Sequence, residues 1–156
     1  MQVRSATELD AKRISSLIQR LSGPFLLSPN SEGAEQFLVS NRKSAIRSCI
    51  AADHFFYLIA EGGSELAGVV ALRDKRHLQH LFVAPAHQGK GLGRSLLLMV
   101  KKAALEAGNG GYFTVNSSLN AVPVYERFGF GSSGTKVEKN GVAFVPMQSI
   151  ARENGG

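Results

Sequence analysis

The sequence predicts an α/β (α+β) fold: a mixed, mostly antiparallel central sheet flanked by helices on both faces. Three observations carry this reading. The β-forming runs Phe55–Ala60, Leu66–Leu72 and His77–Val83 follow one another across tight turns, which imposes antiparallel pairing. A glycine-rich segment then opens the longest apolar-faced stretch, Gly91–Ala107, and another strand follows it; such a crossover requires parallel pairing. Helical patterns before and after the strand cluster supply two covering layers. The length, 156 residues, suits one domain, expected over 1–148, with a flexible tail over 149–156.

In order along the chain, Gln2–Ala6 reads as a short strand. Thr7 then starts a helix, with Asp10 as the carboxylate half of a capping box. Leu9, Ile14, Leu17, Ile18 and Leu21 supply its apolar face, while Lys12, Arg13 and Gln19 face water. Ser22-Gly23-Pro24 ends it, and a loop through Ser28-Pro29-Asn30 follows. From Glu32 to Ala52 the pattern is helical in two pieces, parted near Ser40-Asn41 and anchored by Phe37, Leu38, Ile46 and Ile50. Gly62-Gly63 and Asp74-Lys75-Arg76 make the turns between the three β-runs. Gly108-Asn109-Gly110-Gly111 closes the long helix. Tyr112–Asn116 is a strand and Asn120–Phe128 a short helix whose Pro123 suits a first turn. Phe130 and Val142–Met147 supply the last strands, around an Asn140-Gly141 turn.

Eighteen Lys and Arg against 12 Asp and Glu leave a net charge of +6, which invites nucleic acid or a small polyanion. The basic residues are scattered, with no block of five or six and no interleaved aromatics to stack bases, which argues against nucleic acid. The longest apolar run, Leu96–Val100, is far too short to cross a bilayer, and Met1-Gln2-Val3-Arg4 leads directly into a strand, so no membrane partner is expected. The single Cys49 has no internal disulfide partner and reads as a small core residue, in keeping with a cytoplasmic location. Four histidines and one cysteine show no ligand spacing, so no metal is expected.

The segment Gln88-Gly89-Lys90-Gly91-Leu92-Gly93-Arg94-Ser95 lies between strand and helix. Glycines there let backbone N–H groups converge on an anion, and the helix start adds partial positive charge. Phosphate is the natural ligand. A P-loop needs four residues between its first glycine and Gly-Lys-Ser/Thr, and a dinucleotide loop needs G-x-G-x-x-G. Neither spacing occurs in the Gln88–Ser95 segment.

The spacing that does occur is Gln88-x-x-Gly91-x-Gly93, behind Leu81-Phe82-Val83-Ala84-Pro85 and ahead of Val124-Tyr125-Glu126-Arg127-Phe128-Gly129-Phe130. In these three segments and in its element order the chain resembles the GCN5-related N-acetyltransferase (GNAT) superfamily, whose acetyl-CoA loop reads Q/R-x-x-G-x-G/A. The resemblance implies one acyl-CoA N-acyltransferase-like domain with acetyl-CoA as acyl-donor cosubstrate. It places the pyrophosphate on the amides of Gln88, Gly89, Lys90, Gly91, Leu92, Gly93, Arg94 and Ser95. The side chains of Lys90 and Arg94 are placed either to add charge near the phosphates or, equally well, to form a solvated face. It also assigns the backbone of Leu81, Phe82 and Val83 to pantetheine and the thioester oxygen. Tyr125 matches a tyrosine that protonates the departing sulfur in many relatives. Where many relatives carry a CoA-contacting asparagine this chain has Ser118, with Asn116 and Asn120 on either side as substitutes.

An attacking ammonium must lose a proton, which for a lysine-like amine costs about 4.6 kcal/mol at pH 7. His77 falls where histone-type relatives carry a glutamate base, and His80 is the second candidate, followed by Glu32 and Glu35. Simple alternation puts His77, Gln79, Leu81 and Val83 on one face and His80 and Phe82 on the other. The expected function is therefore acetyl transfer from acetyl-CoA to a primary amine of a small molecule or peptide, by direct attack in a ternary complex. The resemblance implies acceptor walls from the first helices, from the loop near Ser22 to Glu32, which Phe25, Leu26 and Leu27 make partly apolar, and from the C-terminal hairpin. A non-catalytic acyl-CoA-binding module would keep the glycine loop without needing His77 or Tyr125. Exposed strands near the C-terminus suggest a homodimer.

Overall fold

Dense β-formers between glycine and charged turns make the middle of the chain a meander of β2 (Phe55–Gly62), β3 (Glu65–Arg73) and β4 (His77–Val83). The computed structural model describes residues 1–150 and adds five strands to this meander. These are β1 (Gln2–Ser5), β5 (Tyr112–Ser117), β6 (Gly131–Ser132), β7 (Val137–Lys139) and β8 (Val142–Ile150). The sheet runs β1-β2-β3-β4-β5-β8-β6, with β7 paired to the start of β8. Every pairing is antiparallel except β4 with β5, where the crossover helix α4 (Leu92–Glu106) intervenes. One sheet face packs against α4 and α5 (Val122–Arg127) through Leu72, Leu78, Leu96, Val100, Phe113 and Tyr125. The other packs against α1 (Ala11–Leu21) and α3 (Lys43–Ala51) through Ile14, Leu17, Ile18, Ile46, Ile59 and Val69. The mixed sheet covered on both faces is the architecture predicted. No helix among the described residues is long and apolar enough to cross a membrane.

Three local expectations change. Leu9 does not join the apolar face of α1: Glu8–Asp10 is a 3₁₀ turn, whose tighter step rotates Leu9 outward to 94% exposure. The helical stretch after the first loop begins later than expected, as α2 (Glu35–Ser40), and breaks before α3 where the sequence indicated. The carbonyl freed at the break, Asn41 O, accepts from Ser15 Oγ of α1 at 2.6 Å. At the C-terminus β8 continues through Ser149 and Ile150, which pair with Phe113 and Tyr112. These two residues are strand, not tail; the rest of the expected tail, 151–156, lies outside the described residues.

Two arginines and two carboxylates tie the first strand to the sheet. Asp10, nearly buried, accepts from Arg4 Nη1 and Nη2 at 2.9 Å each, from Arg13 Nη2 at 2.9 Å and from the Thr7 N–H at 2.8 Å. Glu61 accepts from Arg4 Nε at 2.8 Å and Arg13 Nη2 at 3.0 Å. Hydrogen bonding to Arg4 holds the Asp10 carboxyl well below the usual carboxylate range, and the same arginine lowers Glu61. A depressed folded-state pKa stabilises fully above the unfolded value, roughly pH 4, and that stabilisation is lost as pH falls through the folded value. Asp10→Asn is expected to cost about 2 kcal/mol at pH 7, or about 5 °C in Tm. The gap to the unsubstituted chain should shrink at pH 3, and thermal melts at both pH values check this; a gap of equal size at pH 3 would refute the charge-based account.

Candidate functional site

The glycine loop has the geometry of an anion cradle. Pro85–His87 makes a 3₁₀ turn, and Gln88 Nε2 folds back to donate to Val83 O at 2.9 Å. Gly89 and Gly91 take φ of +76° and +81°, in the left-handed region that favours glycine. A Cβ at either position would meet nothing within 4 Å, so backbone conformation rather than crowding demands the residue. Gly91 caps α4, and the Ser95 N–H to Gly91 O bond at 3.0 Å begins the helical ladder. The amides of Leu92, Gly93 and Arg94 precede that ladder and lack intrahelical acceptors. Gly93 has ordinary φ, and a Cβ there would rest 3.6 Å from a Val83 methyl. Lys90, Arg94 and Ser95 are exposed, and Leu92 packs partly into the core beneath.

Below this loop β4 leaves β5. Their parallel register is confined to His77↔Thr114 and Leu78↔Val115, and from Gln79 onward β4 has no partner on that side among the described residues. The Ala84 N–H donates to Ala67 O at 2.8 Å. By alternation His80 and Phe82 turn their backbone groups to β3, and Leu81 and Val83 turn theirs into the gap. A cavity of about 370 Å³ opens there, lined by Leu81, Phe82, Val83, Gln88, Ser118, Asn120 and Tyr125, with Arg20 and Phe25 on the far wall. Tyr125 is buried and set edge-on to Phe128 and Phe130, with centroids at 6.1 and 5.6 Å. Burial pushes its hydroxyl pKa up, so at neutral pH it is an O–H donor. Ser118 Oγ bonds Asn120 Oδ1 at 2.8 Å, which joins two of the three cofactor-side candidates of this region. The third, Asn116, lies elsewhere.

A bulge corrects the sequence reading of β4. The register Ala71↔His80 is followed by Leu72↔Leu78, which leaves Gln79 without a partner on β3. One extra residue inverts the alternation beyond it. Leu78 and Leu81 therefore both point to the α4 side, while His80 and Phe82 face α1. His77, opposite in face to Leu78, thereby shares the His80 side rather than lying across the sheet from it. The two histidines line one cavity of about 230 Å³, together with Arg73, Gln79, Asn116, Ile18, Phe25, Phe37, Phe82, Val142 and Phe144. Asn116 thus faces the histidines and not the donor-side cavity, because it lies two residues before the point where the chain turns under Tyr125. Glu32 and Glu35 are exposed and line neither cavity.

His77 Nδ1 lies 2.8 Å from Thr114 Oγ1. Burial, with Arg73 and Arg76 nearby, pushes its pKa down to about 4. Burial pushes His80 to about 4 as well, with His77 adding to the effect, and its ring lies tilted between Tyr57 and Phe82, with centroids at 6.0 and 6.1 Å. Both rings are neutral at pH 7. Phe25 and Phe82 belong to both cavities, so the two spaces meet across this pair. Phe25 of the Ser22–Glu32 loop and Val142 and Phe144 of the C-terminal hairpin supply the outer wall, while Leu26 and Leu27 line neither cavity; loop and hairpin are pinned by a Leu26↔Val142 bridge and a Leu27 N–H to Gly141 O bond of 3.0 Å. Arg20 and Arg73 were not singled out in the sequence: each is one of many scattered basic residues until the last turn of α1 places Arg20 and the β3–β4 register places Arg73.

Comparison with known proteins adds three findings. The family described as "Acetyltransferase (GNAT) domain" matches residues 25–151. Among solved structures, a GCN5-related N-acetyltransferase from Rhodopseudomonas palustris is similar with a TM-score of 0.77 and 20% identity, over 96% of this chain and 94% of that one. The PaiA N-acetyltransferase of Thermoplasma acidophilum, in complex with coenzyme A, has a TM-score of 0.76 at 16% identity, covering 96% and 98%. An aminoglycoside 6′-N-acetyltransferase complexed with coenzyme A reaches 0.70 at 13% identity, covering 96% and 97%. Among curated proteins none matches the sequence.

Proposed function

Because the chain belongs to the GNAT acetyltransferase family, we propose that it transfers an acetyl group from acetyl-CoA to a primary amine by direct attack in a ternary complex. The observation that carries the proposal is the meeting of two cavities at Phe25 and Phe82, where β4 leaves β5. One cavity continues from the glycine loop and ends at Tyr125; the other holds two neutral histidines. The open, left-handed glycines and the free helix amides fit a pyrophosphate. When bound, acetyl-CoA supplies a thioester, an acyl group on a good leaving group.

The residues of the chain do the rest. Amides from Gln88 to Ser95 hold the phosphates, and the inward-turned backbone of Leu81 and Val83 aligns the donor along β4. A backbone N–H at this gap donates to the oxygen that gains charge as the amine attacks. His77 and His80, uncharged, admit an ammonium without repulsion and present an imidazole lone pair for its proton. Their low pKa makes them weak bases, so the proton passes onward to water rather than resting on the ring. Tyr125 donates its O–H to the leaving sulfur, with modest gain because a thiol of pKa near 8.5 already leaves readily.

CoA release measured against a broad amine panel tests the proposal. Transfer to at least one amine is expected, and Tyr125→Phe should lower kcat roughly tenfold or more while the KM for acetyl-CoA stays within about twofold. Acetyl-CoA binding without transfer to any amine would make the chain a non-catalytic acyl-CoA-binding module instead.

A further inference from the structure

The cavity on the histidine side has an unusual charge for a pocket that receives an ammonium: among its lining residues there is no carboxylate. Its ionised group is Arg73, since the buried histidines beside it are neutral. The rest of the wall is uncharged: Phe25, Phe37, Val142 and Phe144 form its apolar part, and Ser40, Asn41 and Asn116 add polar groups. A polycationic acceptor would enter this space with nothing to neutralise its further charges, next to a fixed guanidinium. Desolvating those charges without partners is costly, and repulsion adds to it. Elsewhere on the chain the net charge of +6 works in the same direction.

Arg73 is also placed to bind. It stands opposite His77 in the ladder, and its Nη1 donates to Gln79 Oε1 at 3.1 Å, on the bulge. Asp74 lies 3.8 Å from Nε, beyond hydrogen-bonding distance, with its side chain 59% exposed. Gln79 is uncharged and takes one donor, so the fork keeps N–H groups for an anion. From Gln79 to Phe82, where the cavity meets the donor side, is about 10 Å of strand.

Resting on the acetyltransferase reading, we propose that the acceptor is an amine carrying an anionic group, a carboxylate or its chemical equivalent, at the far end of an apolar body. The anion pairs with Arg73, the body lies between the phenylalanines, and the amine reaches Phe82. The distance requires an extended ω-amino acid rather than an ordinary α-amino acid, whose amine and carboxylate share one carbon.

The test compares straight-chain ω-amino carboxylates of graded length with their carboxamides and with spermidine and kanamycin, by kcat/KM for CoA release. The carboxylate is expected to exceed its carboxamide at least tenfold, with an optimum at an intermediate length, and to exceed both polycations. Arg73→Gln should bring the carboxylate-to-carboxamide ratio within threefold of unity, mainly through KM. Equal rates for carboxylate and carboxamide in the unsubstituted chain overturn the inference without needing the variant, and so does preference for a polycation. In either case the acetyltransferase reading stands. No transfer to any amine, with acetyl-CoA still bound, overturns both.

Discussion

Gly141→Ala is expected to lower stability by roughly 2–5 kcal/mol, and with it Tm by about 10 °C, while weakening the amine acceptor more than acetyl-CoA. Gly141 sits at the tip of the β7–β8 hairpin with φ of +77°, which an L side chain adopts only under strain. A Cβ there would stand 2.5 Å from Gly33 C, 2.6 Å from Ala34 N and 2.7 Å from Gly33 O. All three are backbone atoms, so no side chain can swing aside to relieve the contact. Either the hairpin or the Gly33–Ala34 segment must move, and both are pinned nearby by the bond from Leu27 N–H to Gly141 O and by Asn140 Nδ2 donating to Gln36 Oε1 at 2.9 Å. These contacts hold Val142 and Phe144 against Phe25 and Phe37, the outer wall of the histidine-side cavity. The glycine loop is remote from them in sequence and contributes no residue to the lining of that cavity. Thermal melts and separate KM values for amine and acetyl-CoA check the expectation. An unchanged Tm, or equal loss of both substrates, would contradict it.

Gly91→Glu is expected to weaken acetyl-CoA binding more than about 100-fold while leaving most of the stability in place. Space is not the issue, because a Cβ at Gly91 meets nothing within 4 Å. The backbone is: φ of +81° strains any non-glycine residue by about 1–2 kcal/mol. Relief of that strain rotates the N-cap of α4 and misaligns the amides that follow. The new carboxylate, moreover, stands where the pyrophosphate is proposed to lie, and like charges repel there. Gly93→Ala provides the contrast, since Gly93 has ordinary φ and its Cβ would make a normal 3.6 Å contact with Val83. Titration calorimetry with CoA should show the Glu variant silent and the Ala variant within about tenfold of the parent. A Glu variant that binds CoA normally would remove the loop from the donor site.

Much of this architecture was legible in the chain because its causes are local. Left-handed glycines at a strand-to-helix junction announce themselves through spacing, whatever the rest of the fold does. The meander was legible because short turns leave antiparallel pairing as the sole solution for Phe55–Val83. The break between α2 and α3 was equally clear from the Ser40-Asn41 pair. Leu9 was misplaced for a local reason too, a 3₁₀ turn ahead of α1, which the helical spacing of its apolar neighbours conceals.

What the tertiary structure alone decided is the arrangement around β4. Period-two alternation separates His77 from His80 across the sheet, yet both line one cavity. The reason is Gln79, bulged out against β3, and a bulge belongs to the register between two strands rather than to either one. The same register lifts Arg73 from a scattered basic residue to the cation of the histidine cavity, and the course of β5 assigns Asn116 to that cavity and Ser118 and Asn120 to the other. The sequence by itself determined the meander, the principal helices and the glycine loop, because each answers to dihedral preference and hydrophobic period. Which side chains share a cavity depends on where two strands part and where one of them carries an extra residue, and that is decided only when the sheet forms.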